Sequence, residues 1–399
     1  MSETIDRPTI SEADEQALLD SIDRWLTRKV APIAAKFEQA DEYPAELVQD
    51  LCEMGLFGAL IEPQYGGLGL PATTYSRIVA RISEEWMSLT GFFNSHLMMA
   101  LIVQKFGTQA QKEHWLPRFA TGELRGGLAL TEPGAGTDLQ GILTTARRDG
   151  DVYRINGAKL WITNALEGDI LAVLVKTDPD AQPRHAGMSM LITPTRNLET
   201  GAEAEGVTRG RKLPKLGYRG IDTGEIGFAD APVDARLGLV GGEEGKGFLM
   251  ATGGLEIGRV NVAARGVGLA QRALELALRY SQERKAFGKP IAQHQAIQFK
   301  LADMATQVDA ARLLTHRAAR LKDSGERSDI EAGMAKLFAS EAGRFCAEEC
   351  LRIHGGYGYS KEYEIERIYR DAPLLLIGEG TSEIQRMVIG RKLLERHKI

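Results

Sequence analysis

The stretch Val152–Thr163, VYRINGAKLWIT, decides what kind of fold this chain adopts. It places Asn156-Gly157 between two runs of strand-forming residues, a pattern typical of a β-hairpin with a tight turn. Three further runs, at 169–177, 187–194 and 224–233, are β-branched or apolar and end at Gly, Pro or Asp. Because no helical pattern separates these runs, they predict an antiparallel sheet or barrel rather than alternating βαβ units.

Helical periodicity flanks this β segment on both sides. Before it, apolar residues recur at helical spacing from Leu18 to Val30, behind Ser11 as a suitable N-cap. After it, the segments 291–322 and 329–353 are long and periodic. The pattern predicts an α+β chain of three domains: an N-terminal α-helical domain over 1–125, a middle β domain over 126–240 and a C-terminal α-helical domain over 241–399.

The composition excludes several classes of protein. The chain has 399 residues, 43% hydrophobic and 26% charged, which is ordinary for a globular protein of two or three domains. Its net charge of −5 gives no electrostatic case for binding nucleic acid or an anionic membrane. No apolar run suits a bilayer span, and the acidic N-terminus resembles neither a signal nor a transit peptide. We therefore expect a soluble cytoplasmic protein.

Cysteine and histidine usage gives no sign of a disulfide framework or a metal centre. The three cysteines are an odd number, and the seven histidines show no metal-ligand spacing. We expect reduced thiols and no metal.

One carboxylate stands in an unusual place within Leu374–Arg386, LLLIGEGTSEIQR. An apolar run leads to Glu379, which lies between Gly378 and Gly380. An apolar wall would desolvate the carboxylate and raise its pKa toward the range of a useful general base. A buried, unpaired Glu is costly to keep, so the pattern indicates a catalytic residue if the site is enclosed. If the site is exposed, Glu379 is an ordinary loop charge.

Two motifs of the β segment are candidates for ligand contact. Leu128–Asp138, LALTEPGAGTD, turns through two glycines that would let backbone N–H groups approach a polar ligand; taken alone, the motif is better explained as a structural turn. In Lys159–Ala165, KLWITNA, a strand would place Trp161 and Thr163 on one face. An indole beside a hydroxyl suits a flat heteroaromatic ring, and a core tryptophan is the alternative.

Two motifs of the C-terminal segment end helices at glycines. Arg284–Pro290, RKAFGKP, leaves Arg284 beside Phe287, and Arg352–Ser360, RIHGGYGYS, exposes backbone that could meet a phosphate. Ordinary helix ends with solvated arginines are the alternative.

Taken together and in this order, the motifs resemble those of the acyl-CoA dehydrogenase family. The likeness covers essentially the whole chain, through YGGLGL, LTEPGAGTD, KLWIT, KLGYRG, ERKAFGKP, IHGGYGY and EGTSEIQR. It implies an α-helical domain, a β-barrel domain and a C-terminal four-helix bundle, assembled as a homotetramer built from two dimers. It also implies bound FAD, an acyl-CoA substrate and an electron-transferring flavoprotein as the acceptor of electrons.

The resemblance also assigns residues by motif. The positions expected to contact FAD are Leu130, Thr131, Trp161, Thr163, Arg284, Phe287, Gln295, Arg352, Gly355, Gly356, Thr381 and Glu383. Within this set, Arg284, Gln295 and the segment 352–356 are expected to reach the FAD of a neighbouring subunit. The positions expected to contact the substrate are Thr137, Arg259 and Gly380. Relatives often have Gln where this chain has Arg352.

Glu379 occupies the position of the family's catalytic base. The resemblance implies that it removes the α-proton while the β-hydride passes to flavin N5, which yields a trans-2-enoyl-CoA. The thioester oxygen would be held by a backbone N–H at the base and by a flavin hydroxyl. Some relatives carry the base on the helix that reads GGLEIGRVNVAARG here. This chain has Gly258 at that place, and Glu256 is two residues away from it.

The acyl group and the exact chemistry stay open at this level. The bulky residues of 91–104 favour a short or branched acyl group, and helix packing is the alternative. Leu89 stands where glutaryl-specific relatives carry an arginine, which disfavours dicarboxylic acyl groups. The rival functions are a flavin oxidase or desulfinase acting on a CoA thioester on the same fold, and a non-catalytic assembly partner.

Overall fold

The computed structural model describes residues 10–398, with the side chains of 254–256 excepted. Within these residues, six α-helices precede the sheet. The predicted cap of the first helix is confirmed, because the Ser11 hydroxyl accepts a hydrogen bond from the N–H of Asp14, and the apolar face behind it buries Leu19 and Ile22. The helices are α1 Glu12–Trp25, continued by a π-helical turn Leu26–Val30, α2 Ala34–Ala40, α3 Ala45–Glu53, α4 Ala72–Trp86, α5 Ser88–Phe106 and α6 Gln109–Ala120.

A curled seven-stranded sheet follows, in the spatial order β1-β4-β2-β3-β7-β6 with β5 on β4. The predicted β region is therefore confirmed. Most neighbours are antiparallel, whereas β4 pairs in parallel with both β1 and β2. The strands are β1 Gly126–Ala129, β2 Thr145–Asp149, β3 Val152–Thr163, β4 Ile170–Lys176, β5 Met188–Pro194, β6 Val207–Lys212 and β7 Thr223–Asp234.

The prediction of a hairpin turn at Asn156-Gly157 is wrong. Strand β3 continues through both residues and pairs with β7 on either side, with a register shift between Ile155 and Gly157. Gly157 has φ +144°, and a Cβ there would lie 2.5 Å from the Thr144 hydroxyl. The actual hairpin turn joins β2 to β3 at Gly150, which has φ +62°. The Asn-Gly pair therefore forms a β-bulge, the other structure in which glycine allows an unusual backbone.

The C-terminal region is helical, as predicted. Helix α8 packs against α4 and α5 on one side and against α9 and α10 on the other, so it connects the two helical regions. At the crossing with α10, Gly266 lies directly on the backbone of Ala339. The elements are α7 Ala235–Gly238, α8 Gly247–Glu283, β8 Lys285–Ala286, β9 Lys289–Pro290, α9 Gln295–Asp323, α10 Asp329–His354, α11 Ile365–Ile377 and α12 Ser382–Arg396.

Two apolar cores hold these layers together. The larger core joins the helices to one face of the sheet, and the smaller core fills the inside of the curled sheet. Within residues 10–398, no helix is long and apolar enough to cross a membrane.

Candidate active site

Glu379 lies in a sharp turn between α11 and α12. Helix α11 ends at Ile377, and both Glu379 and Gly380 have positive φ, +55° and +90°. A left-handed conformation is uncommon for a residue with a Cβ and costs free energy, so the surrounding contacts must hold Glu379 in it. The hydroxyl of Thr381 accepts from the N–H of Ile384 and caps α12. The turn directs the Glu379 carboxylate into the protein.

The carboxylate of Glu379 is desolvated. Oε1 accepts a hydrogen bond from Asn94 Nδ2 at 3.0 Å, and Oε2 is buried without a hydrogen-bond partner. Burial raises the pKa of Glu379, while the positive charge of Arg265, the bond from Asn94 and the charge of Lys336 act in the opposite direction. The sequence left open whether Glu379 lies in an enclosed or an exposed site, and the structure shows that the site is enclosed. The carboxylate therefore suits the role of a general base.

Gly258 on α8 makes room for this carboxylate. A Cβ at Gly258 would lie 1.6 Å from Glu379 Oε2 and 3.2 Å from the sulfur of Met98. A side chain at position 258 and the Glu379 carboxylate would therefore compete for the same space. The side chain of Glu256, the other acid near this place, lies outside the described residues.

Two buried side chains clamp the Glu379 turn from behind. Lys336 Nζ on α10 donates to the carbonyl of Gly380 at 2.8 Å. Gln385 Nε2 donates to the carbonyls of Glu379 and Gly380, at 3.2 and 3.3 Å. Burial lowers the pKa of Lys336 to about 8. Sequence reasoning missed both residues; the available signal was a lysine within the small, apolar stretch of α10.

A second set of polar residues that sequence reasoning missed lies beyond Asn94. Asn261 Nδ2 on α8 donates to the hydroxyl of Tyr75 at 2.9 Å, and that hydroxyl is 3.5 Å from Asn94 Oδ1. Nearby, Arg265 Nη1 donates to the hydroxyl of Tyr218 at 3.0 Å. Their signal in the sequence was spacing, because Asn261 and Arg265 follow Gly258 by one and two helical turns.

On the β side, the structure brings together four of the residues expected to contact a cofactor. Leu130 and Thr131 follow β1, and the carbonyl of Thr131 accepts from the N–H of Leu160 at 2.9 Å, beside Trp161. Trp161 has φ +64° and an exposed fraction of 55%, so the core alternative for this residue is wrong. Thr163 lies two residues further along β3.

A buried ion pair supports this loop and was also missed. Lys159 Nζ donates to Glu132 Oε1 at 2.8 Å and to the carbonyl of Leu130 at 3.1 Å. Glu132 in turn accepts from the N–H groups of Leu143 and Thr144, at 2.6 and 3.0 Å. The loop is therefore held rigidly, and the exposed indole with its neighbouring hydroxyls fits a flat heteroaromatic cofactor such as a flavin. Thr137, expected to contact the substrate, is exposed in the same loop.

Six other expected residues form a separate cluster at the far end of α8: Arg284, Phe287, Gln295, Arg352, Gly355 and Gly356. The guanidinium of Arg284 lies over the Tyr357 ring at 5.7 Å, and Arg352 pairs with Glu349 at 3.1 Å. Phe287, at the tip of the β8–β9 hairpin, is 96% exposed. A Cβ on Gly355 or Gly356 would meet no atom within 4 Å, so that backbone is open, and Gln295 begins α9.

The structure does not bring this cluster to Glu379. Arg259, in the same helix as Gly258, is separated from Arg284 by 25 positions of α8, which is about 37 Å of helix. Gly380, Thr381 and the exposed Glu383 lie instead beside Glu379.

Three protein-family models match the chain in succession. They are the acyl-CoA dehydrogenase N-terminal domain over residues 12–123, the middle domain over 127–231 and the C-terminal domain over 245–394.

Individual relatives agree with these matches. The chain is 40% identical to the mitochondrial short-chain specific acyl-CoA dehydrogenase of Bos taurus, over 96% of this chain and 90% of that protein. It is also 40% identical to a 3-(aryl)acrylate reductase of Clostridium sporogenes, over 93% and 96%. The solved butyryl-CoA dehydrogenase of Megasphaera elsdenii superposes with a TM-score of 0.90 at 36% identity, covering 97% of this chain and 99% of that one.

Proposed function

Because the chain belongs to the acyl-CoA dehydrogenase family of oxidoreductases, we propose that it catalyses α,β-dehydrogenation of a short-chain or branched acyl-CoA, with Glu379 as the base. One observation carries this proposal: the buried Glu379 carboxylate has an unpartnered Oε2 and a raised pKa. An α-proton of a thioester is only weakly acidic, so its removal needs a base of raised pKa in a dry site.

The backbone of the same residue supplies an oxyanion donor. Within the described residues, the N–H of Glu379 donates to no acceptor. A thioester oxygen that binds this N–H would be polarised where negative charge develops during proton removal. The clamp by Lys336 and Gln385 keeps the base and this donor on one rigid turn.

FAD is the cofactor that fits the exposed face of the β region. Trp161, Thr163, Leu130 and Thr131 would hold its ring, and FAD supplies the acceptor for the β-hydride. The protein's own part is to orient the thioester, exclude water and take the α-proton on Glu379.

Assembly with a second copy would explain the cluster at the far end of α8. Arg284 lies at the far end of α8, about 37 Å along the helix from Arg259. Phe287 and the open backbone of Gly355 belong to the same cluster. We propose that they contact the FAD of a neighbouring subunit within a homotetramer, and that an electron-transferring flavoprotein reoxidises the flavin.

The test is an anaerobic titration of the yellow protein with butyryl-, isobutyryl-, isovaleryl- and octanoyl-CoA, following bleaching of the flavin. We expect one class to bleach the flavin and Glu379→Gln to abolish this with the flavin still bound. Because the base must be ionised and its pKa is raised, activity should fall with decreasing pH at a value above 4.5, the ordinary pKa of Glu. Flavin-loaded protein that no thioester bleaches would overturn the proposal.

A second candidate is the same reaction in reverse, reduction of an enoyl thioester. The similarity to the 3-(aryl)acrylate reductase favours testing it. Because a catalyst accelerates both directions of one reaction, the two candidates are separated by comparing turnover of butyryl-CoA with an oxidised electron acceptor against turnover of crotonyl-CoA with a chemical reductant. Fast reoxidation by oxygen alone would instead indicate the oxidase alternative.

A further inference from the structure

A polar stripe runs along α8 away from the Glu379 carboxylate. Gly258, Asn261 and Arg265 are spaced i, i+3 and i+7, so they share one face of the helix. Gly258 meets the carboxylate, and Arg265 lies about 10 Å further along the axis. Side chains of a helix tilt toward its N-terminus, so that of Arg265 is directed back toward Asn261 and Glu379.

Helix α5 presents a matching face from the opposite side. Met98 faces Gly258, because a Cβ there would lie 3.2 Å from its sulfur. One turn before Met98, Asn94 holds the Glu379 carboxylate, and two turns before it lies Gly91. A Cβ on Gly91 would lie only 1.7 Å from the Tyr218 hydroxyl. The two faces therefore enclose one region, with the base at one end and Arg265 with Tyr218 at the other.

Arg265 is a buried cation without a close counter-ion. Its exposed fraction is 5%, and no carboxylate of the described residues lies within 4 Å of it. Nη1 is used by Tyr218, while Nε is buried with no acceptor. The Tyr218 oxygen accepts this bond, so its own proton is available for another acceptor. A buried guanidinium in this state is unfavourable unless a ligand completes its hydrogen bonds.

Glu379 does not act as the counter-ion of Arg265 during the reaction. Its carboxylate is already bound by Asn94, and it becomes neutral when it takes the α-proton. At that moment Arg265 would face no negative charge from the base. The missing partner must therefore be an anion that stays charged throughout turnover, which a carboxylate on the substrate would be.

We propose that the substrate is a short acyl-CoA whose far end carries a carboxylate, bound by Arg265 and the Tyr218 hydroxyl. The inference rests on the proposed function and narrows its substrate class. It replaces the expectation, drawn from Leu89, that dicarboxylic acyl groups are disfavoured. The arginine that binds the carboxylate here is Arg265 of α8, whereas the expectation considered only an arginine at the start of α5. Leu89 itself is fully buried.

The test compares butyryl-CoA with succinyl-, glutaryl- and adipyl-CoA as reductants of the flavin in anaerobic stopped flow. The expected result is that one carboxylated thioester reduces the flavin at least about tenfold more efficiently than butyryl-CoA. Arg265→Gln should lower that ratio roughly 100-fold, because a site built around a polar group discriminates strongly. Arg265→Lys should retain part of the preference for the carboxylated thioester over butyryl-CoA. Tyr218→Phe should lower that preference by a smaller factor than Arg265→Gln does.

Arg272→Gln is the matched control, because Arg272 lies on the same helix and pairs with Glu364 away from the base. It should leave the ratio unchanged, and flavin content and melting temperature are measured for every variant. If butyryl-CoA is the best substrate of the wild type, the carboxylate proposal fails and the proposed function stands. If Arg265→Gln slows all thioesters equally, Arg265 serves the base and the proposal also fails. If no thioester reduces the flavin, the proposed function itself fails.

Discussion

At the scale of single residues, the site depends on where side chains are absent as much as on where they are present. Glu379 can place Oε2 beside α8 only because Gly258 has no Cβ. Its left-handed backbone is maintained by Lys336 and Gln385, which donate to the carbonyls of Glu379 and Gly380. A base in a strained turn with two buried clamps is pre-organised for proton transfer.

Gly258→Ala should displace the Glu379 carboxylate and lower kcat/KM about 100-fold or more, because an error of about 1 Å at a reacting group has an effect of that size. Gly253→Ala is the control on the same helix, where the added Cβ would make ordinary contacts at 3.4 Å with Phe106. The measurement is steady-state kinetics of the flavin-loaded variants. Equal activity of both variants would show that Glu379 does not need the position seen here.

Local sequence rules predicted the burial of Glu379 but not the residues that surround its carboxylate. The apolar run before Glu379 correctly predicted an enclosed carboxylate, because the run is contiguous with it in the chain. Asn94 and Arg265 were missed because they lie 285 and 114 positions away from Glu379 in sequence. Only the fold brings Asn94 into contact with the carboxylate and Arg265 near enough for its charge to lower the pKa of Glu379.

At the scale of elements, α8 organises the active site. One face of it carries Gly258, Asn261 and Arg265 toward the base, and another carries Gly266 into α10. Periodicity predicted the segments 291–322 and 329–353, which match α9 and α10 to within a few residues, since apolar spacing is a local property. The bulge in β3 did not follow, because an Asn-Gly pair suits both a hairpin and a bulge, and pairing with β7 decides between them.

Gly266→Ala should destabilise the protein by about 1–3 kcal/mol through overpacking of the α8–α10 crossing. The added Cβ would lie 2.4 Å from the backbone oxygen of Ala339, which has no flexible side chain to move aside. The comparison is the urea midpoint of Gly266→Ala against Gly253→Ala, each in the same buffer. An unchanged midpoint for Gly266→Ala would mean that the two helices can separate freely.

At the scale of the whole molecule, the residues expected to contact the cofactor lie in two separate regions of a single chain. One set surrounds the base and the rigid loop that follows β1, and the other lies around Arg284 at the distant end of α8. Phe287 projects there with 96% of its side chain exposed, which is unusual for a large apolar residue and typical of an interface.

Phe287→Ser should therefore yield a folded protein that retains several-fold less flavin and dissociates more readily, as measured by the ratio of visible to ultraviolet absorbance and by light scattering during gel filtration. Leu143→Ser is the control, an apolar residue with 78% exposure in the β region. Full flavin content and unchanged mass for Phe287→Ser would contradict a role in a neighbour's cofactor site.

The sequence by itself determined the order of helical, β and helical regions, the cap of α1 at Ser11, and the carboxylate of Glu379 at the end of an apolar run. These features depend on periodicity, propensity and composition within a few residues. Only the tertiary structure decided which polar groups share the buried space around that carboxylate. Burial, the space that Gly258 leaves for the carboxylate and the pairing of Arg265 with Tyr218 arise between residues far apart in the chain, where local rules carry no information.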